Sequence, residues 1–114
     1  MGNTIFHKII NREIPAEIVF EDDLVIAIKD IQPVSPVHIL IIPKKTLPSA
    51  AQATREDQSL LGHIMLTAAN IAREQGLEND GYRLVVNTGE NGGQTVPQFH
   101  LHLVGGRLFG WPPG

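Results

Sequence analysis

The chain has 114 residues, of which 42% are hydrophobic and 18% charged, and a formal charge of −3 at neutral pH. That length suits one domain, 1–114, built round a single core, and the mildly negative charge argues against a nucleic-acid partner, whose footprint would be basic. The chain has no cysteine, which excludes disulfides, thiolate catalysis and cysteine zinc sites. No apolar run approaches the roughly 20 residues of a membrane span. Gly2 is followed by Phe6 where a myristoylation signal needs Ser or Thr, and no basic-then-apolar leader is visible. The expectation is a cytoplasmic protein with no membrane partner.

Asn3 or Thr4 can cap a short helix over residues 5–11, with Ile5, Phe6, Ile9 and Ile10 gathered on one side. A hairpin-like pair follows, 17–21 and 24–29, turning at Asp22-Asp23. Asp30 ends the second strand, and Gln32-Pro33-Val34-Ser35-Pro36 reads as a stiff connection. His38-Ile39-Leu40-Ile41-Ile42-Pro43 is the most apolar strand, expected to be central and covered on both faces. A long helix begins near Thr54, where Thr54 and Asp57 have capping-box spacing. Leu60, Leu61, Ile64, Met65, Ala68, Ile71 and Ala72 form its predicted buried stripe, and Gly76 its left-handed C-terminal cap. His7 and His63 lie off the apolar stripes and are read as surface residues. Residues 82–87 read as a further strand and 88–93 as a glycine-rich turn. This order predicts α+β, an antiparallel sheet with helices packed on it. Trp111, in a proline-rich tail, is expected to dock on its own body or on a second subunit.

Gln98-Phe99-His100-Leu101-His102 alternates polar and apolar residues. As a strand it would set Gln98, His100 and His102 on one face and Phe99, Leu101 and Leu103 in the core. From this stretch alone, a solvent-facing polar edge with chance histidines remains an alternative.

Several motifs in order carry a resemblance over nearly the whole chain. They include Thr4-Ile5-Phe6-x-Lys8-Ile9-Ile10, Glu13-Ile14-Pro15-Ala16, Asp30-Ile31-x-Pro33, His38-x-Leu40-x-Ile42-Pro43, Gly92-Gly93-Gln94-Thr95-Val96, Gly105-Gly106-Arg107 and Trp111-Pro112-Pro113-Gly114. The chain resembles the histidine-triad (HIT) superfamily, most closely its Hint branch of nucleoside phosphoramidate hydrolases. The family signature is three alternate histidines, and here Gln98 stands at the first position, followed by His100 and His102. Pro97 stands where an aromatic residue is common.

The resemblance implies a HIT-like fold, a five-stranded antiparallel sheet with one long and one short helix, two such sheets pairing across a homodimer. It implies that His100 attacks the α-phosphorus of a purine nucleotide while a backbone carbonyl near position 98 holds its other nitrogen. His102 would donate to phosphate oxygens and His38 complete the site. Gln98 can donate and accept hydrogen bonds but cannot become a cation, so reduced or re-tuned activity is expected. Ile5, Phe6, Ile9, Ile28 and Ile31 match the pocket for the base and Asp30 the ribose position. Asn87 matches a position near ribose and phosphate. Gly93, Gln94 and Thr95 would approach the phosphate and leaving group, with Trp111 near the partner subunit's site. No cofactor or metal is implied; three histidines could in principle hold zinc. The implied activity is cleavage of the P–N bond of purine nucleoside 5′-monophosphoramidates. The rivals are a non-catalytic purine-nucleotide binding or scaffold protein and a dinucleoside polyphosphate hydrolase on the same fold.

Overall fold

In a computed structural model that describes residues 2–114, the chain opens with helix α1, Ile5–Ile10. Its N-terminus is closed by a reciprocal pair: the Thr4 hydroxyl accepts from the His7 backbone N–H, and the His7 ring Nδ1 accepts the Thr4 N–H at 3.2 Å. The imidazole thus takes the role a Glu or Gln has in the usual capping box. It is buried, with Nε2 3.3 Å from Thr46 Oγ1. The surface reading of His7 is therefore corrected.

Strands β1 (Ile18–Glu21) and β2 (Val25–Lys29) form the expected hairpin. The Asp22 carboxylate closes its turn by accepting the Leu24 and Val25 N–H groups, each at 2.8 Å. After the proline connection comes β3, Val37–Pro43. A 3₁₀ turn over Arg55–Asp57 carries the predicted Thr54/Asp57 capping box and leads into α2, Gln58–Glu74. Gly76 ends that helix at φ +75°. The Leu77 N–H reaches the Ala72 carbonyl at 2.9 Å and the Gly76 N–H that of Arg73 at 3.1 Å, the paired bonds of a Schellman cap. Strands β4 (Tyr82–Val85) and β5 (Leu101–Gly105) complete a five-stranded sheet ordered β1-β2-β3-β5-β4, with every neighbouring pair antiparallel.

The sheet separates two cores. On one face Val25, Ala27, Ile39, Ile41, Leu101 and Leu103 pack against Ile64, Ala68 and Ile71 of α2. On the other, Ile26, Ile28, Leu40 and Ile42 pack against Phe6 and Ile9 of α1. This double cover is why β3 reads as an unbroken apolar run. Five details depart from expectation. Met65 is half exposed and Thr67 is buried in the helix stripe. His63 is half-buried and its Nε2 bonds Asp22 Oδ2 at 2.7 Å, tying α2 to the hairpin turn. Strand β5 begins at Leu101 and not at Gln98. Trp111 is 84% exposed, so it does not dock on its own body.

The Gly76 site has open space around a would-be Cβ, so only backbone strain opposes a side chain there. Gly76→Ala is expected to lower unfolding free energy by about 1–2 kcal/mol, read from urea midpoints with an unchanged slope.

Candidate active site

Pairing sets the site. In the β3–β5 ladder Leu40 faces His102 and His38 faces Val104, which turns His38 and His102 to the α1 side of the sheet. His100 lies just before β5, its ring centroid 5.0 Å from that of His102. The Phe6 ring meets His100 edge-on at 4.9 Å.

Hydrogen bonds assign the proton on each ring. His100 Nδ1 lies 2.7 Å from the Gln98 carbonyl oxygen. A carbonyl only accepts, so Nδ1 carries the proton and Nε2 keeps a free lone pair. His38 Nδ1 lies 3.2 Å from the Val34 N–H, which only donates, so the proton of His38 is on Nε2. That nitrogen is 2.9 Å from His102 Nδ1 and 3.4 Å from Asp30 Oδ2. By accepting at Nδ1, His102 is left with its own proton on Nε2. The site thus offers one nucleophilic nitrogen and, on the neighbouring ring, one N–H.

These tautomers require neutral rings. Burial, reinforced by the nearby His100 and His38 rings, pulls His102 down to about 4 against the opposing pull of Asp30. Burial also lowers His38, again opposed by Asp30. Burial lowers His7 too. Asp30, His38 and His102 each bring one ligand atom within 4.8 Å of the others. This group omits His100, so a divalent ion here would not use the three histidines considered from the sequence. It would also take the His102 Nδ1 lone pair that now accepts from His38.

The remaining residues divide. Asn87 lines a cleft of about 530 Å³ together with His38, His102, Arg83, Arg107 and Phe109. Gly93, Gln94 and Thr95 line a separate cleft of about 480 Å³ with Glu90 and Pro97. The Gln94 amide folds back on the Pro48 and Val96 carbonyls at 2.7 and 2.9 Å. Asp30 Oδ1 accepts the Gln32 N–H at 2.8 Å. Of the apolar set, Phe6, Ile9 and Ile28 are buried, whereas Ile5 and Ile31 are 49% and 90% exposed.

Gln98 does not share a strand face with His100 and His102. It is fully buried, with Oε1 accepting the Leu47 N–H at 3.0 Å and Nε2 donating to the Pro43 and Lys45 carbonyls at 3.0 and 2.8 Å. Its carboxamide is spent on backbone, which leaves it no free group for a substrate. Alternation along 98–102 hid this, because residues 98–100 are irregular. The Val34 N–H and Arg107 were also missed. A main-chain donor has no sequence signal, and Arg107 stood in a matching motif with no role attached.

Two outcomes follow. An imidazole has two nitrogens and cannot make the three contacts of the Gln98 amide, so Gln98→His is expected to cost roughly 1–3 kcal/mol of stability in urea denaturation. The depressed His102 ring means that the unfolded chain binds more protons between about pH 4 and about 6.5, so stability falls as pH drops through that window. The loss in urea midpoint between about pH 7 and about pH 5 should be smaller in His102→Gln than in the parent.

The HIT domain family matches residues 11–108. The chain is 50% identical over 107 residues to a purine nucleoside phosphoramidase of Escherichia coli, spanning 94% of this chain and 90% of that one. It is 57% identical over 112 residues to an uncharacterised HIT-like protein of Synechococcus elongatus, spanning 98% and 97%. It superposes on a HIT family hydrolase of Legionella pneumophila with a TM-score of 0.96 at 47% identity, covering 98% of this chain and all of the other. A histidine triad protein from Clostridium difficile gives 0.91 at 38% identity, covering 97% and 99%. With this family match over most of its length, and a fold shared with a HIT family hydrolase, the chain belongs to the HIT family, on its Hint-like branch.

Proposed function

We propose that the protein hydrolyses the P–N bond of purine nucleoside 5′-monophosphoramidates, such as adenosine phosphoramidate or a lysyl-AMP conjugate, with His100 as nucleophile. The observation that carries this reading is the Nδ1 contact of His100 with the Gln98 carbonyl, which leaves Nε2 unprotonated. A HIT-type hydrolase fold and 50% identity to an enzyme named for phosphoramidate cleavage favour P–N over other phosphorus bonds.

Attack by Nε2 on the α-phosphorus forms an N–P bond as the bond from phosphorus to the amine breaks, and the amine takes from solvent a proton that the water of the second step returns. Water then cleaves the nucleotidyl–His100 bond and releases the monophosphate. One difficult displacement becomes two easier ones. The His102 Nε2–H donates to a phosphate oxygen as charge develops there. His38 holds that ring in register. The exposed Ile5 and Ile31 and the buried Phe6, Ile9 and Ile28 are assigned to the purine base. Asp30 serves the ribose hydroxyls, and Asn87 the ribose and phosphate. Gly93, Gln94 and Thr95 are assigned to the leaving-group side. Gln98 acts by holding the carbonyl that orients His100, without touching substrate. The exposed Trp111 fits a place at the site of a second subunit in a homodimer, and a cytoplasmic setting suits a purine nucleotide substrate.

With adenosine 5′-phosphoramidate, the parent protein is expected to release AMP, and His100→Ala to fall below about a thousandth of that rate while still binding AMP in calorimetry. Quenching with alkaline denaturant during turnover should recover the nucleotide on residue 100. AMP binding without turnover in the parent protein would instead assign the non-catalytic nucleotide-binding role.

A further inference from the structure

Arg107 lies beyond the end of β5 and reaches back to the connection that precedes β3. Its Nε and Nη2 both donate to the Val34 carbonyl at 3.2 Å, and Nη1 donates to the Leu108 carbonyl at 3.1 Å. The guanidinium also stacks on Phe109, 4.2 Å from the ring centroid. Its orientation is therefore fixed on several sides. The Val34 side chain is 60% exposed and lies outside any strand, so residue 34 is held through its main chain, by Arg107 at the carbonyl and by His38 at the N–H. The two segments are drawn close at the neighbouring residue as well. Gly106 sits at φ +91°, and a Cβ there would stand 2.8 Å from the Pro36 side chain.

We propose that Arg107 is a positioning residue that, by clamping Val34, fixes the direction of the His38–His102 hydrogen bond and so keeps the proton of His102 aimed at the cleft. The chain of donors runs one way. Arg107 donates to the Val34 carbonyl, Val34 N–H to His38 Nδ1, and His38 Nε2–H to His102 Nδ1. His102 Nε2–H is left over for a ligand. If residue 34 drifts, His38 Nδ1 loses its donor and can take the proton itself. Its Nε2 lone pair then faces the His102 Nδ1 lone pair at 2.9 Å. The repulsion is relieved when His102 moves its own proton to Nδ1, which leaves a lone pair pointing at the phosphate. Asp30, at 3.4 Å, also favours the Nε2–H form of His38. That contact is longer than the Val34 one, so loss of Arg107 weakens the preference without erasing it.

The kinetic part of this role rests on the phosphoramidase reading; the proton positions do not. Imidazole ¹⁵N spectra of the parent protein at neutral pH are expected to show His38 and His102 as Nε2–H tautomers and His100 as Nδ1–H. Arg107→Gln should bring Nδ1–H character into His38 and His102. It should also lower kcat about tenfold, the scale of a lost outer hydrogen-bond partner, with KM changed by less than about twofold. Arg107→Lys, which can still donate to the Val34 carbonyl, should recover part of kcat. An Nδ1–H form of His38 in the parent protein overturns the proposal. So does an Arg107→Gln variant with lowered Tm but unchanged tautomers and kcat. A parent protein that leaves phosphoramidates intact refutes the functional reading, and the tautomers of Arg107→Gln then decide the role of Arg107.

Discussion

A neutral imidazole has one proton and one lone pair, and the hydrogen bond from His100 Nδ1 to the Gln98 carbonyl decides where His100 keeps each. Because the acceptor belongs to the main chain, it does not depend on which side chain residue 98 carries. It does depend on that carbonyl standing still in a stretch outside any strand. The Gln98 side chain provides the restraint by bonding backbone groups at 43, 45 and 47. The Phe99 N–H adds a bond to the Leu47 carbonyl at 2.7 Å. The segment after β3 and the segment before β5 are thus laced together immediately beside His100. The departure from the three-histidine signature falls on a residue whose task here is to hold the main chain, which a buried carboxamide does well because it both donates twice and accepts.

The electrostatics follow from the same enclosure. Asp30 draws His38 and His102 toward the charged form, while burial drives them the other way, and burial wins at both. A cationic His102 would lose its acceptor at Nδ1 and break the link to His38. On the proposed reading, His102 itself therefore meets phosphate as an oriented N–H dipole and not as a cation. Such dipoles need no reorganisation as charge develops on the phosphoryl oxygens.

Local patterns were legible wherever one element's own surroundings determined it. The unbroken apolar run of β3 announced two covered faces, and the Thr54/Asp57 and Gly76 signals bracketed α2. The residues that resisted reading answer to partners far away. Gln98 looks like one more alternate strand position until the segment at 43–47 is placed beside it. Arg107 and Val34 are 73 residues apart, and the decisive group on Val34 is main chain. His7 was misplaced for a different reason: its ring closes a capping box that is ordinarily recognised by Glu or Gln. Met65 and Thr67 exchange places because the side of α2 that meets β3 and β5 is set by the sheet and not by hydrophobicity alone.

The location of the site also has a geometric cause. Helix α1 has six residues, so it is about 9 Å long and about 10 Å across, whereas five strands side by side span about 19 Å. It can cover part of one sheet face, and it does so over β2 and β3, where Ile26, Ile28, Leu40 and Ile42 are buried. The β5–β4 part of that face is left to a cleft that exposes His102, Val85 and Arg83. His38 and His102 stand on the boundary between cover and cleft. Burial keeps them neutral, and both line the cleft. The short α1 thus covers the β2–β3 part of this face and leaves the two rings beside the cleft, where burial holds them neutral.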